Sequence, residues 1–220
     1  MRRLELTDQW VIYLWMTKRW QRRKDARPAE ILDAALAVFA QKGFAATKLD
    51  DIAAKAGITK GTIYLYFDSK QALFEALARQ SVGVQIDQVT AQLAAFPGSS
   101  ADLLRFVLST MGRFVMTSDR IVLPRLVFAE AANFPELAKF WRREIIDRGI
   151  ALIGGIVERG MARGEFRNIE PQHAARLCMA PILIIMLWRT TFAQFDAEPY
   201  DYQGLIDAHL QTLLKGLEIS

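Results

Sequence analysis

Apolar residues recur at spacings of three and four along almost the whole chain, and few stretches alternate with period two. That pattern predicts an all-α protein. Its first strong instance is "PAEILDAALAVFAQKG", starting at Pro28, where Ile31, Ala34, Ala35, Val38 and Phe39 share one face. Proline near the start and Gly43 at the stop suit the two ends of a helix. "TKLDDIAAKAG" follows. There Thr47, with Asp50 three residues later, has the form of a capping box, and Gly57 closes a short helix. Another short helix begins after Ile58 with Thr59 as its N-cap, and Ser69 opens a long helix over roughly 70–95.

"FPGSS" at 96–100 is the clearest break. Beyond it the spacing predicts helices near 101–117, 119–132 and 135–163, with Asn133 as a stop and Pro135 in a first turn. A connection over 162–171 leads to a helix from Pro171 to about 195, where Pro181 predicts a kink, and a last helix spans about 201–217. There is no internal repeat and no low-complexity segment. Three parts emerge: an arm (1–27), a unit of short helices (28–73) and a larger helical bundle (74–220).

Apolar residues make up 52% of the chain and charged residues 24%, which excludes a disordered chain and predicts a substantial core. The net charge is +4, but its placement matters more. Residues 1–27 carry eight Lys/Arg against Glu5, Asp8 and Asp25, so the arm is +5 and the rest of the chain −1. A basic arm reads as a tether to an anionic polymer or surface, or as a solvated tail. One cysteine, Cys178, leaves no internal disulfide and fits a reducing cytoplasm. The apolar run from Trp10 to Met16 lacks the flanks of a signal peptide. The run at 177–188 is shorter than the ~18 residues of a membrane span, so it reads as a buried helix and no membrane partner is expected.

Catalytic chemistry finds little support. His173 and His209 have no metal-ligand spacing with Cys178 or with carboxylates. Cys178, in an aliphatic helix, reads as a structural thiol. No phosphate-binding glycine loop, nucleophile elbow or carboxylate pair is present, so no enzyme, metal or cofactor is expected.

The stretch "AGITKGTIYLYF" at 56–67 is the most informative. Two short helices joined by a glycine turn have the form of a helix-turn-helix, whose second helix enters the DNA major groove, although the spacing alone fits an ordinary helical hairpin too. Ile63 and Phe67, four apart, should face inward with Ile52, Ala53 and Ile58. Lys60, Thr62, Tyr64 and Tyr66 then point outward, with groups that bond phosphates and base edges. Gly61 allows close approach, and Lys70 can add a phosphate contact at the next helix N-terminus.

Residues 47–73, "TKLDDIAAKAGITKGTIYLYFDSKQAL", strongly resemble the DNA-binding signature of the TetR/AcrR transcriptional regulators. Thr47, Ile52-Ala53, Ala56-Gly57, Ile58, Thr59, Gly61-Thr62, Ile63, Tyr64, Tyr66, Phe67 and Lys70 all meet the pattern, and the resemblance extends over about 28–77. It implies a three-helix DNA-binding domain followed by a helical ligand-binding and dimerisation bundle. It also implies that Thr47 and Lys48 contact phosphates, that Thr59, Lys60, Gly61 and Thr62 read bases and backbone, and that Tyr64, Tyr66 and Lys70 grip the strands. Residues 28–70 are formally neutral, which gives the arm more weight. The arm is longer than in many relatives, and "MTKRWQRRKDARPAEIL" from Met16 looks like an ordinary start. Residues 1–15 are therefore expected to come from an upstream start codon, while Arg19, Arg22, Arg23 and Lys24 reach phosphates or a neighbouring groove.

The helix at 171–195 is apolar nearly all round, so both faces must be covered. TetR-like proteins pair through their last two long helices. That implies a homodimer contact through Ile182, Ile185, Leu205, His209 and Leu213, with Leu214 nearby. Phe106, Met111, Phe114, Met116, Phe128, Phe140 and Trp141, facing Met179, Leu183 and Met186, are either core or the wall of the family's ligand chamber. Arg113 is the polar candidate there, for a ligand's acidic group, for Glu130 or for solvent. "PRLVFAEAANFPELAKFW" weakly resembles the AefR-like branch. The expected function is a cytoplasmic, homodimeric repressor of a palindromic double-stranded operator, released by a small, largely apolar effector. The alternatives are an activator or effector-independent regulator, or a small-molecule- or lipid-binding helical protein whose DNA binding is vestigial.

Overall fold

A computed structural model describes residues 27–93 and 95–219. The arm, Arg27 excepted, lies outside them, as do the expectations placed on it. The described residues are α-helical, with one isolated antiparallel bridge between Phe166 and Glu218. Two compact units form, one ending at Phe74 and the other starting at Glu75.

In the first unit, α1 (27–46) buries the expected stripe of Ile31, Ala34, Ala35, Val38 and Phe39. Gly43 takes φ +77°, a left-handed turn that favours glycine, and one more helical turn follows it. Next come α2 (Leu49–Ala56), α3 (Lys60–Tyr64) and α4 (Lys70–Ala78). Phe39, Phe44 and Phe74 pack ring on ring with centroids 5.6–6.3 Å apart, and Ile52, Ala53, Ile63 and Leu73 complete the core. The ring contacts join α4 to α1, and the buried Ile52, Ala53 and Ile63 hold α2 and α3, short helices that would be marginal alone.

The second unit continues through a π-helical segment (Arg79–Gly83) into α5 (Val84–Leu93). It then runs through α6 (Ser100–Thr117), a 3-10 turn (Asp119–Ile121), α7 (Val122–Glu130) and α8 (Pro135–Trp141). A second π segment (Arg142–Ile146) leads into α9 (Asp147–Ala162), and α10 (Pro171–Leu187) follows after a turn. Past α10 lie a third π segment (Trp188–Phe192), a 3-10 turn (Ala193–Phe195) and α11 (Tyr202–Leu217). The π segments each break what apolar spacing predicts as one helix, because one inserted residue barely disturbs that spacing. Pro181 stands inside α10 without ending it.

α10 packs against α6, α9 and α11 around a core that includes Leu104, Leu108, Ile153, Ile156, Cys178 and Ile185. The break after α5 is tied down by charge. Arg159 donates to the carbonyl oxygens of Phe96 and Gly98 at 2.8 and 2.9 Å, and the Glu165 carboxylate accepts from the Ser100 N–H at 2.5 Å.

Candidate nucleic-acid interface

The turn between α2 and α3 is built as expected. Gly57 takes φ +66°, and Ile58 donates its N–H to the Ala53 carbonyl at 3.0 Å. Left-handed backbone at this position costs a side-chain-bearing residue more than glycine. Thr59 is the N-cap of α3, its hydroxyl accepting from the Thr62 N–H at 3.3 Å and lying 3.0 Å from the Thr62 hydroxyl.

Ile63 is fully buried and fixes the rotation of α3. At 100° per residue, Gly61 and Leu65 then lie on the side opposite Ile63, with Lys60 and Tyr64 on one flank and Thr62 on the other. Tyr64 is half exposed, Lys60 and Gly61 are exposed, and Thr62 is half-buried. α3 ends at Tyr64, so Tyr66 and Phe67 lie in the following turn, both N–H groups donating to the Ile63 carbonyl at 2.9 Å. Tyr66 and Phe67 are each half-buried.

Lys60 donates to the Asp50 carboxylate of α2 at 2.9 Å, and that hydrogen bond raises the lysine pKa. On the other side of α2, Lys42 bonds Asp51 at 2.7 Å and, with the Lys48 N–H, holds the Asp51 carboxyl below its ordinary value. Both pairs are exposed and contribute little to stability. They do orient Lys60 and α2.

Two residues expected at phosphates, Thr47 and Lys70, have partners within the protein. Thr47 is 2% exposed, and its hydroxyl donates to the Gly43 carbonyl at 2.6 Å. It is not the cap of α2; Lys48 is, its N–H donating to the Asp51 carboxylate at 3.1 Å. The aliphatic half of threonine suits a core position once its hydroxyl has a carbonyl to bond, and spacing does not show that partner. Lys70 donates to the carbonyls of Phe44, Ala45 and Thr47 at 2.5, 3.1 and 2.9 Å. Its donors are turned onto the end of α1 and the segment after it. Lys48 remains exposed. Leu65, which the sequence pattern passes over as a spacer, is 78% exposed.

In the second unit, the expected ligand set is divided between core and surface. Trp141 and Met186 belong to the core, Met111, Phe114 and Met179 are half-buried, and Phe106, Phe128, Leu183 and Arg113 are exposed. A cleft of about 550 Å³ lies elsewhere, along α9 and the start of α10. Small residues (Ala151, Gly154, Gly155) line it, between Arg142 with Asp147 at one end and Glu158 with Arg176 among its other charges. Among the described residues no His, Cys, Asp and Glu group could hold a metal ion.

Two of the expected dimer residues do not face outward. Ile182 and Ile185 are buried within their own subunit, with Cys178 on the same stripe. Leu177, Ile184 and Trp188, spaced seven and four apart on a stripe about 100° round the helix from it, are 56%, 55% and 40% exposed. Both stripes are apolar, so composition does not tell inside from outside. Leu205, His209 and Leu213 of α11 are half-buried. With its extension to Phe195 the helix is long and apolar enough to cross a membrane by length and composition. Its Cys178 stripe nonetheless packs in the core of this unit. Burial pushes the Cys178 thiol up to about 12, so it carries no thiolate near neutral pH.

Both units match known protein families. Residues 31–77 match the family model of bacterial regulatory proteins, tetR family, and residues 98–199 match that of the tetracyclin repressor-like C-terminal domain. The HTH-type transcriptional regulator RutR of Escherichia coli K12 is 30% identical over 185 residues, 83% of this chain and 80% of that protein. A TetR-family transcriptional regulator from Mesorhizobium loti MAFF303099 superposes with a TM-score of 0.68 at 25% identity, over 90% of this chain and 99% of that one. FadR of Bacillus subtilis, solved in complex with stearoyl-CoA, shares the fold with a TM-score of 0.66 at 23% identity, covering 86% and 98% of the two chains.

Proposed function

The chain belongs to the TetR family of DNA-binding transcriptional regulators, not enzymes, and on that footing we propose that it acts as a homodimeric repressor released by an effector. The observation that carries the DNA-binding part is the rotation of α3. Ile63 is locked into the core, and Lys60, Gly61, Thr62 and Tyr64 are left around the other sides. Lys48, Thr59 and Tyr66 add donors beside them, while Thr47 and Lys70 act from behind by fixing the backbone.

Pairing is supported by the Leu177, Ile184 and Trp188 stripe, an apolar surface of a kind that soluble proteins cover. A second copy meeting it through α10 and α11 sets two α3 helices toward successive major-groove faces ~34 Å apart, which calls for an inverted-repeat operator. The protein works in the cytoplasm, where the DNA is.

The effector is small and largely apolar, taken up in the second unit. The half-buried Met111, Phe114, Met116 and Met179 at the edge of its core support this, since methionines repack readily around a guest. The stearoyl-CoA held by FadR, similar in fold, points the same way. Release from DNA requires that the effector bind the DNA-incompetent state more tightly than the other. Deleting the gene and measuring transcripts from the promoter beside the operator tests the sign of regulation. Transcripts rise for a repressor, and a fall contradicts repression.

A further inference from the structure

Resting on the reading that α3 enters the major groove, the geometry points to Leu65 as a base-reading residue that packs on the 5-methyl group of a thymine in each operator half-site. Among the described residues it is the most exposed large apolar side chain, at 78%. Its position is not that of a stray surface leucine. Leu65 keeps helical backbone angles (φ −70°, ψ −17°) as the C-cap of α3 and bonds back to the Thr62 carbonyl at 3.3 Å. The helical rotation therefore carries through it. It stands 200° from the fully buried Ile63 and one turn past Gly61, at the most outward point of the helix.

The chemistry of the partner follows from what Leu65 lacks. It can neither donate nor accept a hydrogen bond, while the residues around it, Lys60, Thr62 and Tyr64, can. A phosphate or sugar contact gains nothing from an isobutyl group. The thymine methyl is the one apolar group that base edges present in the major groove, so a leucine on the groove-facing ridge discriminates thymine from cytosine. Gly61 assists: a Cβ built there would have only the Thr59 hydroxyl within 4 Å, at 3.8 Å, so the absent side chain leaves the ridge open for close approach.

The test uses full-length protein and the operator recovered from genomic DNA, with each thymine replaced in turn by deoxyuridine, which removes the methyl group and nothing else. Burying one methyl group corresponds to about fourfold in affinity. Wild type is expected to lose about fourfold for deoxyuridine at one position of a half-site and roughly fifteenfold when both half-sites are changed. Leu65→Ala, which removes the contact in both half-sites, is expected to bind the thymine operator roughly fifteenfold more weakly and to be indifferent to deoxyuridine at that position. Leu65→Met, which keeps an apolar side chain, retains the sensitivity. Wild type indifferent at every thymine, or Leu65→Ala as sensitive as wild type, overturns the inference while leaving DNA binding intact. Wild type that recovers no operator overturns the underlying reading and this inference with it.

Discussion

Lys70 holds its ammonium 4.6 Å from the centre of the Phe44 ring and donates a 2.5 Å hydrogen bond to the carbonyl of the same residue. Phe44 in turn stacks on Phe39 and meets Phe74 edge-on, so the lysine is fastened to the aromatic core of the first unit. A cation in that position finishes the end of α1 and fixes the backbone that leads into α2.

Replacing Lys70 by methionine should therefore lower the stability of the first unit by roughly 1–3 kcal/mol, since carbonyls lose a charged donor. Operator affinity should fall on all sequences. The slope of log affinity against log salt should stay at the wild-type value, whereas a lost phosphate contact would flatten it by about 0.9. Salt titration of both proteins on one operator decides between the two. A flattened slope with unchanged melting would restore a phosphate-gripping role.

The stripes of α10 should separate pairing from folding. Ile184→Glu, on the exposed stripe, is expected to give a folded monomer with wild-type helicity and lost operator affinity. Ile185→Ala, on the buried stripe, should destabilise the fold by about 2–5 kcal/mol. Sedimentation and thermal melting distinguish them. A dimeric Ile184→Glu variant would move the interface elsewhere.

His209 gives the second unit a pH dependence. Its Nε2 is buried without a hydrogen-bond partner, and burial lowers the pKa below the ordinary 6.5, against a smaller upward push from its hydrogen bond to the Cys178 backbone. The folded state thus binds fewer protons than the unfolded chain in the window just below 6.5. Stability from this group is complete above that value and declines as pH falls through it. Melting of His209→Gln between pH 7 and 5 should show a shallower decline than wild type. An equal decline would assign the effect to other groups.

Cys178, with its thiol pushed up to about 12, should resist iodoacetamide at pH 8 until the protein is unfolded. Peroxide treatment is expected to leave operator binding unchanged. Modification of the native protein at the rate of a free thiol would show that α10 opens.

Much of the first unit was legible because its signals are local. Gly57, Thr59 and the Ile52–Ile63 pair each follow from turn chemistry or helical spacing. The partners of Thr47 and Lys70 were not legible, because they are carbonyls, which leave no mark in the pattern of side chains. In the second unit the helices themselves were legible, but not the π segments. The phase of α10 was hidden by apolar residues on every side, where spacing carries no direction. Leu65 stands as a spacer in the family pattern, and its exposure on the ridge opposite Ile63 makes it prominent.

The most direct measurement is selection of bound fragments from the host's genomic DNA by purified protein at a stated salt concentration. A dimeric operator binder recovers an inverted repeat, with half-sites about one helical turn apart and two chains bound to each site. Recovery of nothing above background, or of DNA without sequence in common, contradicts a sequence-specific regulator in its effector-free form.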